Sequence, residues 1–285
     1  MKFSRLVVSS RPLSWVNTAI PFAAAYYFSG GELGPAFWVM TLFFLIPYNF
    51  LMYGINDVFD YESDVINPRK GGVEGALLPP EMHKTTLVAS TFLALPFVLF
   101  GIWISIANAL ALTALLVSVL SVVAYSLKGL RFKEKPFLDS ITSSIHFVSP
   151  AVYGLALAQP DADGSIWLGM TAFFLWGAAS HAFGAVQDVR ADREAGISSI
   201  ATALGARQTT RLAFILYLVA GVVLLRLPDR FSFAALAAVP YLFVTAREWQ
   251  ISDENCERAN RGWRLFLGLN FLAGAIVMAL LIGPS

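Results

Sequence analysis

Nine apolar runs, each long enough to cross a bilayer, alternate with polar connections along the 285 residues. They cover residues 12–29, 37–59, 84–105, 108–127, 138–158, 165–187, 208–226, 231–248 and 263–283. A hydrocarbon core about 30 Å thick asks for roughly 17–25 such residues per helix. A helix also satisfies its own backbone polar groups, which lipid cannot do. The pattern predicts an all-α polytopic membrane protein with nine transmembrane helices, forming a single integral-membrane domain over 1–285. The connections around 106–108 and at 227–231 are short enough for antiparallel hairpins.

Composition agrees with that reading. The chain is 57% hydrophobic and 14% charged, against about 45–50% and about 25% in soluble domains. Its net charge of +1 gives no reason to expect a nucleic-acid partner. The lone Cys256 cannot form an intrachain disulfide and reads as an ordinary thiol. The start, MKFSRLVVSSRPLSW, lacks an uninterrupted apolar core and a small-residue cleavage site, and is expected to be retained.

Charge then orients the spans. If they alternate in direction, 18 of the 20 Lys and Arg fall on the side holding the N-terminus, and only Arg226 and Arg230 on the other. The positive-inside rule makes the first side cytoplasmic, together with the N-terminus and the long connections 60–83, 128–137, 188–207 and 249–262. The functional end is expected there, in a multi-pass protein of the cell membrane.

Two acidic clusters arrive at that boundary. GINDVFDYESD at 54–64 ends the second span, and QDVRADRE at 187–194 ends the sixth. On a continuing helix Asp57, Asp60 and Asp64 would share one stripe at i, i+3 and i+7; Asn56 pairs with Asp60, and Asp188 with Asp192, at i+4. Asn56-Asp57-Val58 and Gln187-Asp188-Val189 echo one another. Acids at a helix C-terminus oppose its dipole, so a cation is expected between them. Mg²⁺ takes a few carboxylates, keeps waters and completes its shell with phosphate oxygens. The expected site is therefore Mg²⁺–diphosphate, with Arg69, Lys70, Tyr125, Lys128 and Arg131 on the diphosphate. Lys133 and Lys135 read as positive-inside bias.

N-D-x-x-D-x-x-x-D at 56–64 and D-x-x-x-D at 188–192, on spans two and six, resemble the UbiA superfamily of intramembrane prenyltransferases. The resemblance covers the whole chain. It implies a helical bundle around a central cavity open to lipid, in which Asn56, Asp57, Asp60, Asp64, Asp188 and Asp192 hold Mg²⁺ and diphosphate. Asp57, Asp60, Asp188 and Asp192 are the expected catalytic acids. SRPLSWVNTAIPFAAAY, LIPYNFLMYGINDVFDYESD, NPRKGGVEGALLP, LRFKEKPFLDSITSSIHFVSP and GAVQDVRADREAGISSIAT look like the lycopene elongases of fifty-carbon carotenoid synthesis. Where many members have an Arg-Pro-Leu-type segment, this chain has Asn67-Pro68-Arg69-Lys70-Gly71-Gly72.

That likeness implies transfer of a dimethylallyl group from its diphosphate to the ends of lycopene. The expected partners are those two substrates, membrane lipid and other carotenoid-pathway enzymes. Polar residues inside spans usually face a bundle interior. Asn17, Asn49, Tyr53 and His146 are accordingly expected to line the acceptor cavity. Tyr48, Tyr53 and Tyr125 could stabilise cations through their ring faces. His146, in the stripe Asp139, Thr142, His146 and Ser149, could accept a proton or bridge helices; His181, two turns before Asp188, offers the same choice. The alternatives are an aromatic, haem or chlorin acceptor, or a cation-coupled transporter. A transporter site would sit at the midplane on broken helices, whereas these spans read as unbroken. A CDP-alcohol phosphotransferase needs Asp-Gly where the chain has Asp60-Tyr61.

Overall fold

The computed structural model describes residues 2–66, 76–159 and 161–283. Most described residues are helical, with no strand among them. They fall into two compact units. Unit one takes residues 1–132 and 145–161, and unit two takes 133–144 and 162–285.

Unit one begins with α1 (Lys2–Ser9), a 3-10 turn at Pro12–Ser14, and α2 (Val16–Phe28). The second predicted span is two helices, α3 (Pro35–Leu45) and α4 (Pro47–Phe59), followed by the short α5 (Tyr61–Ile66). Then come α6 (Pro80–Ser105), α7 (Ala109–Ser126) and the second part of α8 (Leu138–Ala158). Phe22, Met40, Phe43, Phe44, Tyr48 and Tyr153 form its buried centre. Lipid gives no hydrophobic drive for helix pairing, so close approach has to come from small residues and internal hydrogen bonds. Gly154 supplies one: a Cβ there would lie 2.5 Å from the carbonyl oxygen of Phe22. Ser118 Oγ donates to Ser149 Oγ at 2.7 Å, joining α7 to α8.

The break between α3 and α4 corrects the expectation of an unbroken span. Pro47 has no N–H, and Ile46 takes φ −118°, ψ −63°. Nearby carbonyls need other donors. The Asn49 amide donates to Phe44 O at 2.8 Å and Leu45 O at 3.2 Å. Thr18 Oγ1 donates to Phe44 O at 2.6 Å and accepts from Asn49 Nδ2 at 2.8 Å. Asn49 is wholly buried. Its amide nitrogen braces this kink instead of facing an acceptor cavity, as the sequence had suggested.

Unit two holds the start of α8, then α9 (Gly164–Val186), α10 (Val189–Glu194), α11 (Ile200–Leu204) and α12 (Ala206–Leu224). A 3-10 stretch (Asp229–Ala238), α13 (Val239–Arg247), a 3-10 segment (Asp253–Arg258) and α14 (Ala259–Ile282) complete it. Phe183, Tyr217, Tyr241 and Phe266 are central to its core. Ser144 packs on Gly177, and its hydroxyl donates to Phe174 O at 2.6 Å. Pro240 explains the tight winding before α13: it has no N–H, and Val239 N–H turns to Leu236 O, three residues back. Asp163 caps α9. The Ser165 hydroxyl, then the backbone N–H groups of Ser165 and Ile166, hold its carboxyl below the usual value.

Among the described residues, seven helical segments are long and apolar enough to cross a membrane: Pro35–Phe59, Pro80–Ser105, Ala109–Ser126, Leu138–Ala158, Gly164–Val186, Ala206–Leu224 and Asp253–Ile282. The two further predicted spans hold the 13-residue α2 and the 3-10 stretch leading into the nine-residue α13. The chain is a multi-pass membrane protein.

Replacing Asn49 with Leu should leave the Phe44 and Leu45 carbonyls short of a donor and destabilise the fold by about 1–3 kcal/mol. A lower thermal midpoint of the detergent-solubilised protein is the expected reading, with a smaller loss in Thr18→Val. An unchanged midpoint in Asn49→Leu would mean that the kink is held elsewhere.

Candidate active site

The first acidic motif straddles a kink. α4 ends at Phe59, Asp60 takes φ −101°, ψ 0°, and α5 starts at Tyr61. Hydrogen bonding runs through it: Asp60 N–H donates to Asn56 O at 2.9 Å and Asp64 N–H to Asp60 O at 2.8 Å. Asn56, Asp60 and Asp64 therefore keep an i, i+4, i+8 register, while Asp57 lies about 100° round the helix from Asn56. Asp57, Asp60 and Asp64 are all buried. A buried carboxylate is costly unless it is paired and hydrogen-bonded.

Two arginines in left-handed backbone approach this motif. Arg131, at φ 40°, follows a turn in which Leu130 and Arg131 N–H donate to Leu127 O. Its guanidinium donates to Phe59 O at 3.3 Å and stands 3.9 Å from Asp60 Oδ1. Arg11, at φ 50°, donates to Asp57 Oδ1 at 3.0 Å, and Ser9 Oγ donates to Asp57 Oδ2 at 2.8 Å. The Arg11 guanidinium also lies over the Tyr53 ring, 4.2 Å from its centroid. Non-glycine residues at positive φ are strained and concentrate at functional sites. In the sequence Arg11 is one of the cations on the cytoplasmic side and stands in the SRPLSW run; the fold brings it to Asp57.

The other expected contacts separate. Asn56 Oδ1 accepts from Ser126 Oγ at 3.0 Å. Tyr125 packs edge-on against His146, with centroids 5.1 Å apart. Tyr48 is fully buried, and its hydroxyl lies 3.2 Å from His146 O, so it serves packing. Asn17 is half-buried and Lys128 is exposed. Arg69 and Lys70 lie outside the described residues. A cavity of about 400 Å³ in unit one is lined by Leu51, Ile55 and Phe59 of α4, by residues of α6 and α7, among them Val98 and Val123, and by Leu127 just past α7. Its α4 stripe is displaced from Asn56 and Asp60 by roughly a quarter to a third of a turn. The groove is therefore not a continuation of the acidic face.

In unit two the second motif repeats the backbone device. α9 ends at Val186, Asp188 takes φ −101°, ψ −3°, and Asp192 N–H donates to Asp188 O at 2.8 Å. Asp188 thus corresponds locally to Asp60, and Asp192 to Asp64. The echo of Asn56-Asp57 with Gln187-Asp188 is shifted accordingly. Both clusters also sit at the start of a new short helix, where the dipole favours them, and not only at the end of a long one. Gln187 is fastened by Asn260, whose Nδ2 donates to Oε1 at 2.6 Å. Arg193 pairs with Asp253 at 2.6 Å and Arg190 with Glu257 at 3.3 Å. Asp139 accepts from Ile200 N–H at 2.8 Å, fixing the start of α11, and His181 Nδ1 meets Ser140 Oγ at 3.1 Å.

Asn56, Asp60, Asp64, Asp188 and Asp192 offer oxygen donors, the kind Mg²⁺ takes. Among the described residues no three His, Cys, Asp or Glu side chains gather to hold an ion alone.

A family model described as the UbiA prenyltransferase family matches residues 18–280. The chain belongs to the UbiA prenyltransferase family. A lycopene elongase/hydratase of Corynebacterium glutamicum is 52% identical over 285 residues, covering 99% of this chain and 97% of that protein. A Halobacterium salinarum protein of the same name is 29% identical over 278 residues, covering 96% and 95%. A UbiA homolog from Archaeoglobus fulgidus, solved bound to DMAPP and Mg²⁺, superposes with a TM-score of 0.70 at 17% identity, over 96% of this chain and 99% of that one. UbiA membership makes the chain a prenyltransferase. It also decides against a transporter, now that the break at Ile46 removes the argument from unbroken helices.

Arg131 should matter to a UbiA enzyme for its guanidinium and not for its backbone. Glycine takes positive φ without strain, so Arg131→Gly should hold its thermal midpoint while prenyl transfer falls about tenfold to a hundredfold. Parallel melting and turnover assays check this; loss of both together would make Arg131 structural.

Proposed function

We propose that this enzyme transfers a dimethylallyl group from its diphosphate to the ends of lycopene, giving an elongated carotenoid and diphosphate. The observation that carries the substrate reading is the 52% identity, over 99% of this chain, to a protein named lycopene elongase/hydratase. Carotenoid-pathway enzymes would then be its partners. We further propose that both units act as one domain of nine spans, with the N-terminus and acidic motifs cytoplasmic. The charge bias of the connections supports that side.

Asn56, Asp60 and Asp64, with Asp188 and Asp192, would hold Mg²⁺ carrying the diphosphate. Held by these residues, Mg²⁺ would supply positive charge to neutralise the leaving diphosphate. Arg131, already directed at Asp60, would contribute a further positive charge, with Tyr125, Lys128, Arg69 and Lys70 as additional contacts. The bond from C1 of the donor to the diphosphate oxygen breaks, leaving an allylic cation, and the terminal alkene of lycopene then forms a carbon–carbon bond to C1. The resulting tertiary cation loses a proton. Capture of that cation by water would instead give a hydroxylated end, the hydratase arm of the relatives' name. Apolar walls exclude water from the allylic cation before transfer. Tyr53 and His146 belong on the acceptor side in this reading, together with Asn17.

Membranes containing the enzyme, given dimethylallyl diphosphate, Mg²⁺ and lycopene, should yield a product heavier by one or two five-carbon units. Chelation should abolish it, and Asp60→Asn should lower it about a hundredfold or more. Transfer to an aromatic acid with no elongated carotenoid would overturn the acceptor assignment.

A further inference from the structure

Asp57 is set apart from its neighbours in the motif. Its side chain is 0% exposed, and that of Arg11 only 17%. One carboxylate oxygen takes the Ser9 hydroxyl and the other the Arg11 guanidinium. The turn carrying these donors is fixed in its own right: Trp15 Nε1 donates to Ser10 O at 3.0 Å, and Ser10 Oγ donates to Val7 O at 2.6 Å. Leu6 of α1 and Val58, the residue after Asp57, both pack on the small cluster of Ala76, Leu78 and Met82. The N-terminal segment thus lies as a strap on the helix bearing the first motif, with a charge-assisted pair as its fastening. A cation on Asp57 would share that carboxylate with the Arg11 guanidinium, 3.0 Å from Oδ1, and two positive charges on one carboxylate repel.

We propose that Asp57 anchors the N-terminal strap and does not ligate metal, with Arg11 as its positioning partner. The assignment rests on the proposal that Asn56, Asp60 and Asp64 hold the Mg²⁺. It gives the positive φ of Arg11 a purpose: the strained turn aims the guanidinium back at α4.

Trypsin cleavage after Arg5 in the full-length, detergent-solubilised protein reports the strap directly and needs no substrate. In Asp57→Asn and in Arg11→Gln, cleavage should speed up about tenfold or more, as expected for one lost charge-assisted hydrogen bond. The double variant should go little further, because the partners act as one. The Mg²⁺ concentration for half-maximal prenyl transfer should stay within about twofold of the parent in both singles, and Asp60→Asn should show the opposite pattern. Should Asp57→Asn fail to fold, Ser9→Ala and Arg11→Gln carry the test from the other side of the contact. Parent-rate cleavage in these variants, or a Mg²⁺ midpoint raised in Asp57→Asn as in Asp60→Asn, would overturn the proposal. Accelerated cleavage in a chain that makes no prenylated product would sink the function and leave the strap standing.

Discussion

Inside lipid a backbone carbonyl without a donor has no water to turn to, and much of unit one follows from how one such gap is closed. The α3–α4 break frees carbonyls beside Pro47, and Asn49 and Thr18 meet them. Phe44 carries this contact on its backbone and belongs with its ring to the aromatic centre formed with Phe22, Tyr48 and Tyr153. Polar satisfaction and packing therefore coincide at one point. The register of α4, and so the direction in which Asn56, Asp57 and Asp60 leave it, is tied to that point.

The second constraint is charge. Three buried aspartates within eight residues would repel and desolvate at high cost. The helix turns them apart: Asp57 goes to Arg11 and Ser9, Asp60 and Asp64 stay in register with Asn56, and Arg131 stands near Asp60. Each of these arginines is reached through left-handed backbone, so local strain is traded for placement of a cation. Unit two shows a lighter version, with half-buried Asp188 and Asp192 and its arginines drawn off to Asp253 and Glu257.

The apolar runs and both acidic motifs were legible because each has a period or spacing that composition cannot hide. Failures came where one residue type serves two ends. Asn49 and Tyr48 look like functional polar groups within a span, yet the Asn49 amide donates to Phe44 O, Leu45 O and the Thr18 hydroxyl, and the Tyr48 hydroxyl lies against His146 O. Arg11 looked like a topogenic charge, and only the fold brings it across 46 residues to Asp57. Pro47 and Pro240 did signal the break at Ile46 and the 3-10 winding, but a proline inside an apolar run is often absorbed by a kinked helix. The match of Asp60 with Asp188 was masked by the louder Asn-Asp-Val and Gln-Asp-Val echo; backbone angles settle it.

The 3-10 stretch before α13 has a consequence for reach. A 3-10 helix climbs about 2.0 Å per residue against about 1.5 Å for an α-helix. The 10 residues of Asp229–Ala238 and the nine of Val239–Arg247 thus extend roughly 33 Å, where a wholly α-helical segment of that length would extend roughly 28 Å. Residue number alone understates the length of such a segment: thinner winding carries the chain further, with fewer side chains per ångström of rise.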